Sequence, residues 1–141
     1  MPLVLKLLEQ MSKRDKRIET FNTVNAPKPG GHYSQAVIHN GIVYVSGQLP
    51  INPFTGEKVP GGIEEQTQQV LENIGIILKD CGSSKKSVIK TTVYVSDISL
   101  WGKVNEIYAD FFGDHKPARA VVPTRNLHYG FLVEIEAIAL L

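Results

Sequence analysis

The chain has 141 residues, of which 43% are hydrophobic and 21% are charged, and this composition is ordinary for one soluble globular domain. A formal net charge of +1 excludes the strongly basic surface typical of nucleic-acid binders. No apolar run is long enough to span a membrane, and Cys81 is the only cysteine. We therefore expect a cytoplasmic protein with no disulfide, no membrane partner and no nucleic-acid partner.

Residues 1–16 are predicted to form an extension outside the domain, which then comprises residues 17–141. The extension begins MPLVLKLLE, and this order of apolar residues before charges is the reverse of that in a secretory signal. A short helix is expected in residues 1–11, with Met11 as an alternative start of the chain. Four basic residues follow closely, and a solvated tail is the simpler interpretation of them. They are Lys13, Arg14, Lys16 and Arg17.

The domain is predicted to begin with a loop and a hairpin. Residues 25–31 read NAPKPGG, and proline and glycine at this density favour a loop. Two runs rich in β-branched residues flank Asn40-Gly41 within residues 36–47, a strong pattern for a tight hairpin. Residues 50–62 are predicted to be a second loop.

Two amphipathic helices alternate with the remaining strands. Apolar residues recur at helical spacing from Ile63 to Cys81, and Gly82 is a natural stop. A second helical pattern extends from Leu100 to Phe111. Strands are predicted where β-branched and aromatic residues concentrate, at residues 87–96, 118–124 and 131–140.

This order of elements predicts an α+β fold, a two-layer sandwich of a mixed β-sheet with two helices on one face. The strand at residues 87–96 is apolar on both parities, with Ile89, Thr91, Val93 and Val95 expected on one face and Val88, Thr92 and Tyr94 on the other. A sheet that is apolar on both faces needs a second cover. With no third layer in the chain, we expect another subunit to supply it.

Arg119 is the first candidate functional residue, because it lies on a predicted interior strand between two alanines. A charged side chain there is costly unless it meets an anion. Guanidinium matches a carboxylate through two parallel hydrogen bonds, so a small carboxylate would suit this position. The alternatives are an internal Glu partner and a strand edge from which the arginine reaches water.

Glu134 and Glu136 are two residues apart and are expected to share one face of the last strand. A carboxyl group in such apolar surroundings tends to have a raised pKa, which suits general acid or base chemistry. Alternatively, this face meets solvent, or it pairs with Arg119 or Arg125 on an adjacent strand.

Three further positions carry weaker signals, each with a structural alternative. Ser46-Gly47 ends a strand and could present a hydroxyl and backbone N–H groups to an anion, although a serine there is more often structural. Tyr33 could place its hydroxyl over a pocket or pack into the core. Asn105 could be a contact at a subunit boundary or lie on the solvated side of its helix.

The histidines are widely separated, and the chain lacks paired metal-ligand motifs, a phosphate loop and a dinucleotide-binding glycine pattern. We therefore expect neither a metal nor another cofactor. The residues alone indicate an oligomer with a site for a small carboxylate, formed by a buried arginine and a nearby carboxyl group, and they do not identify a reaction.

Seven segments of the chain resemble the Rid family, formerly called YjgF. They cover most of the chain between Ile18 and Leu140, in the order and spacing of the family. The segments are GGHYSQA (30–36), VYVSGQLPINPFTGE (43–57), QTQQVLENI (66–74), VIKTTVYVSDI (88–98), VNEIYADFF (104–112), PARAVVPT (117–124) and VEIEAIA (133–139).

The resemblance implies a homotrimer whose sheets pack into a central barrel, with three clefts between subunits. It implies that Arg119 binds the substrate carboxylate and that Glu134 is associated with the attacking water. Tyr33, Ser46 and the adjacent Gly47 would line the cleft, with Asn105 near it. Two positions depart from the usual pattern, since His32 replaces a proline and Val121 replaces a cysteine. Valine is harmless at the second position if its backbone carbonyl serves.

The activity that the resemblance implies is that of a 2-iminobutanoate/2-iminopropanoate deaminase. Such an enzyme hydrolyses 2-aminoacrylate, 2-aminocrotonate or their 2-imino tautomers to 2-keto acids and ammonium. The first alternative is a regulatory oligomer that binds small carboxylates without turnover. The second is an endoribonuclease or translation inhibitor, for which the basic residues between Lys13 and Arg17 would be the candidate contact.

Overall fold

The structure is a computed structural model and describes residues 2–15 and 17–141. Its helices and strands follow the chain in an order close to the predicted one, with one addition near the N-terminus, the strand β1. They are α1 Pro2–Asp15, β1 Glu19–Phe21, β2 Ala36–His39, β3 Ile42–Gln48, α2 Ile63–Asp80, β4 Val88–Val95, α3 Trp101–Phe112, β5 Ala118–Pro123 and β6 Val133–Leu140.

The six strands form one mixed sheet in the order β1-β2-β3-β6-β4-β5. Only β4 and β5 pair in parallel, and the other neighbours are antiparallel. The helices α2 and α3 cover one face, where alternate residues of β6 from Val133 to Ala139 are buried. The prediction of an α+β fold with a mixed sheet is confirmed. The strand β1 was not predicted, because three residues are too few to show a period.

The hairpin between β2 and β3 turns at Asn40 and Gly41, as predicted. Their φ angles are +50° and +72°, so both residues adopt the left-handed conformation. A two-residue turn with two positive φ angles matches the right-handed twist of the flanking strands. The hairpin sets the register that places Val43 and Val45 in the core.

The helix α2 supplies the largest part of the core. It begins after Gly62, whose N–H donates to the Glu65 carboxylate at 2.8 Å, and it ends before Gly82, whose φ is +97°. The side chains that it buries between these ends repeat at intervals of three and four residues, as predicted. The most deeply buried apolar side chains are Val70, Leu71, Ile74, Ile77 and Leu78.

The face assignment at the start of β4 was wrong. A β-bulge lies between Val88 and Lys90, where the register against β6 shifts by one residue. Val88 therefore turns toward the helices and is 2% exposed, whereas Ile89 is 43% exposed. A bulge adds one residue to one strand only, and an alternating pattern read from the sequence does not reveal it.

The position of β5 also differs from the expectation. It forms the edge of the sheet, so Arg119 does not lie on an interior strand. The strand β4 separates β5 from β6, although β5 and β6 follow one another in the chain. The alternative in which Glu134 pairs with Arg119 across adjacent strands was therefore wrong.

The sheet face opposite the helices is uncovered in the single chain. Large apolar side chains from central and edge strands remain 37–51% exposed on this face. They are Tyr44 on β3, Val122 on β5 and Leu140 on β6. Exposed apolar side chains on a sheet face that also carries Lys90 and Glu136 are typical of an association surface.

The N-terminal helix α1 extends beyond the predicted residues 1–11 and includes Lys13, one of the four clustered basic residues. Met1 and Lys16, which belong to the predicted extension, lie outside the described residues. Within residues 2–15 and 17–141, no helix combines the length and apolarity needed to cross a membrane.

Two glycine-to-alanine substitutions should change stability in opposite directions. Neither Gly41 nor Gly102 has a neighbouring atom within 4 Å of an added Cβ, but only Gly41 has a positive φ. We expect Gly41→Ala to lower the free energy of unfolding by about 1–2 kcal/mol. Gly102→Ala, in the first turn of α3, should raise it by up to about 1 kcal/mol. Urea denaturation measures both, and equal effects would contradict the left-handed turn.

Candidate functional site

The guanidinium of Arg119 lies between β5 and the helix α3. Its Nη1 donates a hydrogen bond of 3.0 Å to Oδ1 of Asn105. Its Cζ lies 4.7 Å from the ring centre of Tyr108 and 5.5 Å from that of Trp101. Aromatic faces attract a planar cation, so these contacts hold the group in a defined orientation.

No carboxylate among the described residues neutralises Arg119. Within residues 2–15 and 17–141, the one ion pair joins Lys103 to Glu64. The alternative of an internal Glu partner therefore has no support in the described part of the chain. A half-buried guanidinium whose contacts are one amide oxygen and two aromatic rings retains donors for an external anion.

Asn105 was interpreted more simply as a solvated residue, and the structure instead places it half-buried against Arg119. Trp101, Asn105 and Tyr108 follow one another at intervals of four and three residues, which places them on one face of α3. Tyr108 fits the apolar pattern of the second predicted helix, and neither Tyr108 nor Trp101 was among the predicted site residues. The shared spacing with Asn105 was the signal that could have identified both.

The tyrosine beside Arg119 is held neutral and fixed. Its hydroxyl shares a hydrogen bond of 2.7 Å with Oγ1 of Thr91, and Tyr108 is 6% exposed. Burial raises the pKa of the Tyr108 hydroxyl, and the hydrogen bond and the Arg119 charge oppose this shift only in part. A neutral phenol contacts the guanidinium of Arg119 in a fixed position and adds no negative charge that would neutralise it.

Glu134 forms the second part of the candidate site. Burial raises the pKa of its carboxyl group, the neighbouring Glu136 raises it further, and His128 acts in the opposite direction. The pKa shift of Glu134 has the direction that the sequence predicted. Such a group can exchange a proton at a pH closer to neutral than an ordinary glutamate can.

Gly47 makes close packing at Glu134 possible. A Cβ atom built on Gly47 would overlap Oε1 of Glu134 and would lie 3.1 Å from its Cδ. Any larger residue at position 47 would displace the carboxyl group. The glycine therefore lets the β3 backbone approach Glu134 and helps to shield it from water.

A cleft of about 590 Å³ opens beside Gly47. Its walls combine aromatic rings with basic side chains, and the residues that define it come from three loops and the end of β3. Among them are Lys28, Tyr33, Gly47, Lys58, Tyr129 and Phe131. Aromatic walls with a few polar groups are typical of sites for small organic ligands.

Tyr33 lines this cleft and is 50% exposed, so the alternative that it packs into the core was wrong. Its hydroxyl accepts a hydrogen bond of 3.3 Å from the Gly30 N–H. Ser46 is half-buried, and its Oγ donates to the Ser34 carbonyl at 2.6 Å. In the single chain, Ser46 therefore has the structural role that its position at a strand end favoured. Val121 is half-buried and packs against the core.

The two parts of the candidate site lie on opposite faces of the sheet. Arg119 is in register with Thr91, and Thr91 is in register with the buried Ala137, so all three face the helices. Glu134 is in register with Tyr94 and belongs to the other face. The expectation that Glu134 is the carboxyl group near Arg119 therefore fails within one chain.

Neither His128 nor Tyr129, which line the cleft near Glu134, was among the predicted site residues. Their ring centres lie 3.6 Å apart, and the ring planes are tilted by 42°. Tyr129 has a φ of +58°, a conformation that non-glycine residues adopt rarely and that occurs often at functional sites. No motif in the sequence marks this loop, because its conformation is set by the strands on either side.

Comparisons with known proteins identify the relatives of this chain. A family model described as endoribonuclease L-PSP matches residues 23–141. A RutC family protein of Pyrococcus horikoshii is 51% identical over 121 residues, which are 86% of this chain and 96% of that protein. The 2-iminobutanoate/2-iminopropanoate deaminase of Rattus norvegicus is 46% identical over 86% of this chain and 88% of its own.

A comparison with a solved structure shows that a relative shares this fold. A Rid family protein of Yersinia pestis superimposes with a TM-score of 0.86 at 47% sequence identity. The match covers 89% of this chain and all of the other.

The contact between Gly47 and Glu134 can be tested by titration. We expect Gly47→Ala to push the carboxyl group toward water, because the added Cβ occupies its place, and so to lower the pKa of Glu134 toward the ordinary glutamate range. Gly31→Ala is the matched control, since its Cβ would make only ordinary contacts with the Tyr33 ring, at 3.5 Å. Carbon NMR of the carboxyl groups measures the titration. An unchanged midpoint in Gly47→Ala would contradict the contact.

Proposed function

The chain belongs to the Rid family, and from this premise we propose that it hydrolyses 2-imino acids and their 2-enamine tautomers to 2-keto acids and ammonium. The observation that carries the proposal is the half-buried guanidinium of Arg119, which the described residues leave without a carboxylate partner. Relatives named 2-iminobutanoate/2-iminopropanoate deaminase, at 42–46% identity, support this choice of reaction.

Arg119 has the role of holding the substrate carboxylate in the proposed reaction. Two parallel hydrogen bonds from a guanidinium fix the plane of a carboxylate, and this fixes the position of the adjacent C2 atom. Asn105 and the ring of Tyr108 orient the guanidinium from behind. Val121 follows on the same edge strand, where its backbone can contact the substrate.

Glu134 has the role of handling the proton. In its ionised form it accepts a proton from a water molecule, whose oxygen forms a bond to C2 of the imine while the C=N electron pair moves to nitrogen. Glu134 then returns the proton to the nitrogen of the tetrahedral adduct. The hydroxyl of the adduct then gives its proton to Glu134 while its O–H electron pair allows the C=O bond to form and the C–N bond to break. A 2-keto acid remains, and the leaving ammonia takes up this proton to become ammonium. The protonated imine is already electrophilic, so this route requires no cofactor.

The complete site in this proposal combines two copies of the chain. Arg119, Asn105 and Val121 come from one subunit, and its neighbour contributes Ser46, Glu134 and the cleft that Tyr33 and Gly47 line. The separation of Arg119 from Glu134 across the sheet supports this division, as does the exposed apolar face that β3, β5 and β6 leave uncovered. A homotrimer with three such clefts is the arrangement that we propose.

The family description also names an endoribonuclease, and this keeps a second candidate function open. The basic residues from Lys13 to Arg17 are the only dense cationic cluster in the sequence. Cleavage of RNA by the full chain that disappears on deletion of residues 1–17 would favour this alternative over the deaminase.

Replacing Arg119 should abolish turnover. In a coupled assay, a threonine or serine dehydratase generates the enamine, and formation of the keto acid is followed. We expect Arg119→Ala to lower kcat/KM at least about 100-fold, because the carboxylate loses its anchor. Arg119→Lys should remain impaired, since an ammonium group cannot form the paired contact.

Arg125→Ala is the matched control for this assay, because Arg125 is an exposed arginine in the loop that follows β5. Its turnover should equal that of the unaltered protein. Turnover by Arg119→Ala at the same rate would remove Arg119 from the site. Equal rates for the unaltered protein and buffer would favour a ligand-binding regulator instead.

The pH profile should report Glu134. Because the ionised form accepts the proton and burial raises the pKa of Glu134, kcat/KM should fall as the pH drops through this raised pKa. The acid limb should therefore lie above the ordinary glutamate range, and Glu134→Gln should lose both the limb and most of the rate. Glu136→Gln should move the limb to lower pH, since it removes a neighbouring negative charge. A limb that survives in Glu134→Gln would assign it to another group.

A further inference from the structure

The helix α1 carries an apolar stripe that no described part of the chain covers. Leu3, Leu7 and Met11 form one row at intervals of four residues, and Val4 and Leu8 form the adjacent row. With Leu5, these side chains are 50–71% exposed. Exposed leucines are common one at a time, but six within ten residues on one helix form a patch that requires an explanation.

The opposite side of α1 is polar. Lys6, Glu9, Gln10 and Lys13 recur at intervals of three and four residues and occupy the remaining part of the helix circumference. At about 100° per residue, the apolar side chains span an arc of about 200°. The helix is therefore amphipathic from Leu3 to Met11, with a wide apolar side.

A helix of this length is not stable alone in water. Isolated helices shorter than about 12–15 residues are marginal, because few hydrogen bonds offset the cost of nucleation. The 14 residues of α1 fall in this range, and the exposure of its apolar side chains shows that the domain does not stabilise it by packing. A stable α1 therefore requires a surface supplied from outside the chain.

The charge of the N-terminal segment indicates what kind of surface this is. Residues 1–17 contain five basic and two acidic residues, a net charge of +3, which leaves a net charge of −2 for residues 18–141. The cationic charge is thus concentrated on and directly after the amphipathic helix. An anionic surface would attract this segment and not the domain.

We propose that α1 lies in the plane of a membrane surface that contains anionic lipids. Its apolar arc would enter the boundary between headgroups and acyl chains, and its lysines would lie at the level of the lipid phosphates. The domain would remain in water, held at the surface by residues 1–17. The expectation of no membrane partner rested on the lack of a spanning segment, and a helix in the interface needs none.

A second copy of the chain fits α1 less well than a lipid surface does. Helices that pair with one another bury a narrow seam, whereas the arc here covers more than half of the circumference. Two copies would also bring like charges together, since each carries a net charge of +3 in residues 1–17. A membrane surface offers a broad apolar layer for the wide arc of α1, and its anionic lipids oppose the charge of residues 1–17.

Vesicle flotation tests the proposal on the full chain. The protein is mixed with phosphatidylcholine vesicles, with or without phosphatidylserine, and the fraction that floats with lipid is measured. We expect flotation only with phosphatidylserine, a loss at high salt, and an increase in helical circular dichroism on binding. Analytical ultracentrifugation without lipid gives the molecular mass of each variant.

Two substitutions separate the apolar side from the polar side of α1. Met11→Glu and Gln10→Glu each add one negative charge, one residue apart, but only Met11 lies within the apolar arc. We expect Met11→Glu to reduce binding at least about tenfold, because a carboxylate would have to enter the apolar region. Gln10→Glu should retain most of the binding. Neither residue belongs to the candidate site.

Three results would overturn the proposal. One is flotation that does not depend on phosphatidylserine, whether the protein floats with neither kind of vesicle or equally with both. Anionic lipid would then have no role. Another is an equal loss of vesicle binding in the two variants. That result would mean that charge attraction alone holds α1 at the surface and that its apolar side is not inserted. The third is a lower molecular mass of Met11→Glu in the absence of lipid, which would assign the apolar face to a second copy of the chain.

Discussion

The alternation of side chains across the sheet decides where every part of the candidate site lies. Along β4, β5 and β6, residues in register share a face, and one face is closed by α2 and α3. Arg119 falls on the helix side and meets α3, and Glu134 falls on the open side and meets β3. This single geometric constraint separates Arg119 from Glu134 in each chain, and the proposed reaction therefore involves both faces of the sheet.

Different contacts hold the two charged groups of the candidate site, Arg119 and Glu134. Arg119 is oriented by two aromatic rings and an amide, contacts that hold a cation in place without neutralising it. Glu134 is shielded by the close approach of Gly47, and burial raises its pKa. Arg119 stays charged and available to an anion, and the pKa of Glu134 is shifted toward neutral pH.

The sequence predicted the elements whose signal is local. The turn at Asn40-Gly41 and the stop at Gly82 depend on conformations that few residues adopt, so those residues marked them reliably. The sequence failed where pairing between distant strands decides the result. The bulge at Val88, the edge position of β5 and the insertion of β4 beside β6 leave no local pattern. For the same reason, Arg119 and Glu134 were recognised as candidates while their separation was not.

The contact between Gly47 and Glu134 also limits how this fold can vary among related chains. These two positions lie 87 residues apart in the sequence, yet the space for one is set by the size of the other. An alanine at position 47 displaces the acid unless the side chain at position 134 is one methylene shorter, as in an aspartate. Shortening the acid first opens the space for a later change at position 47, whereas the reverse order first removes the shielding of Glu134.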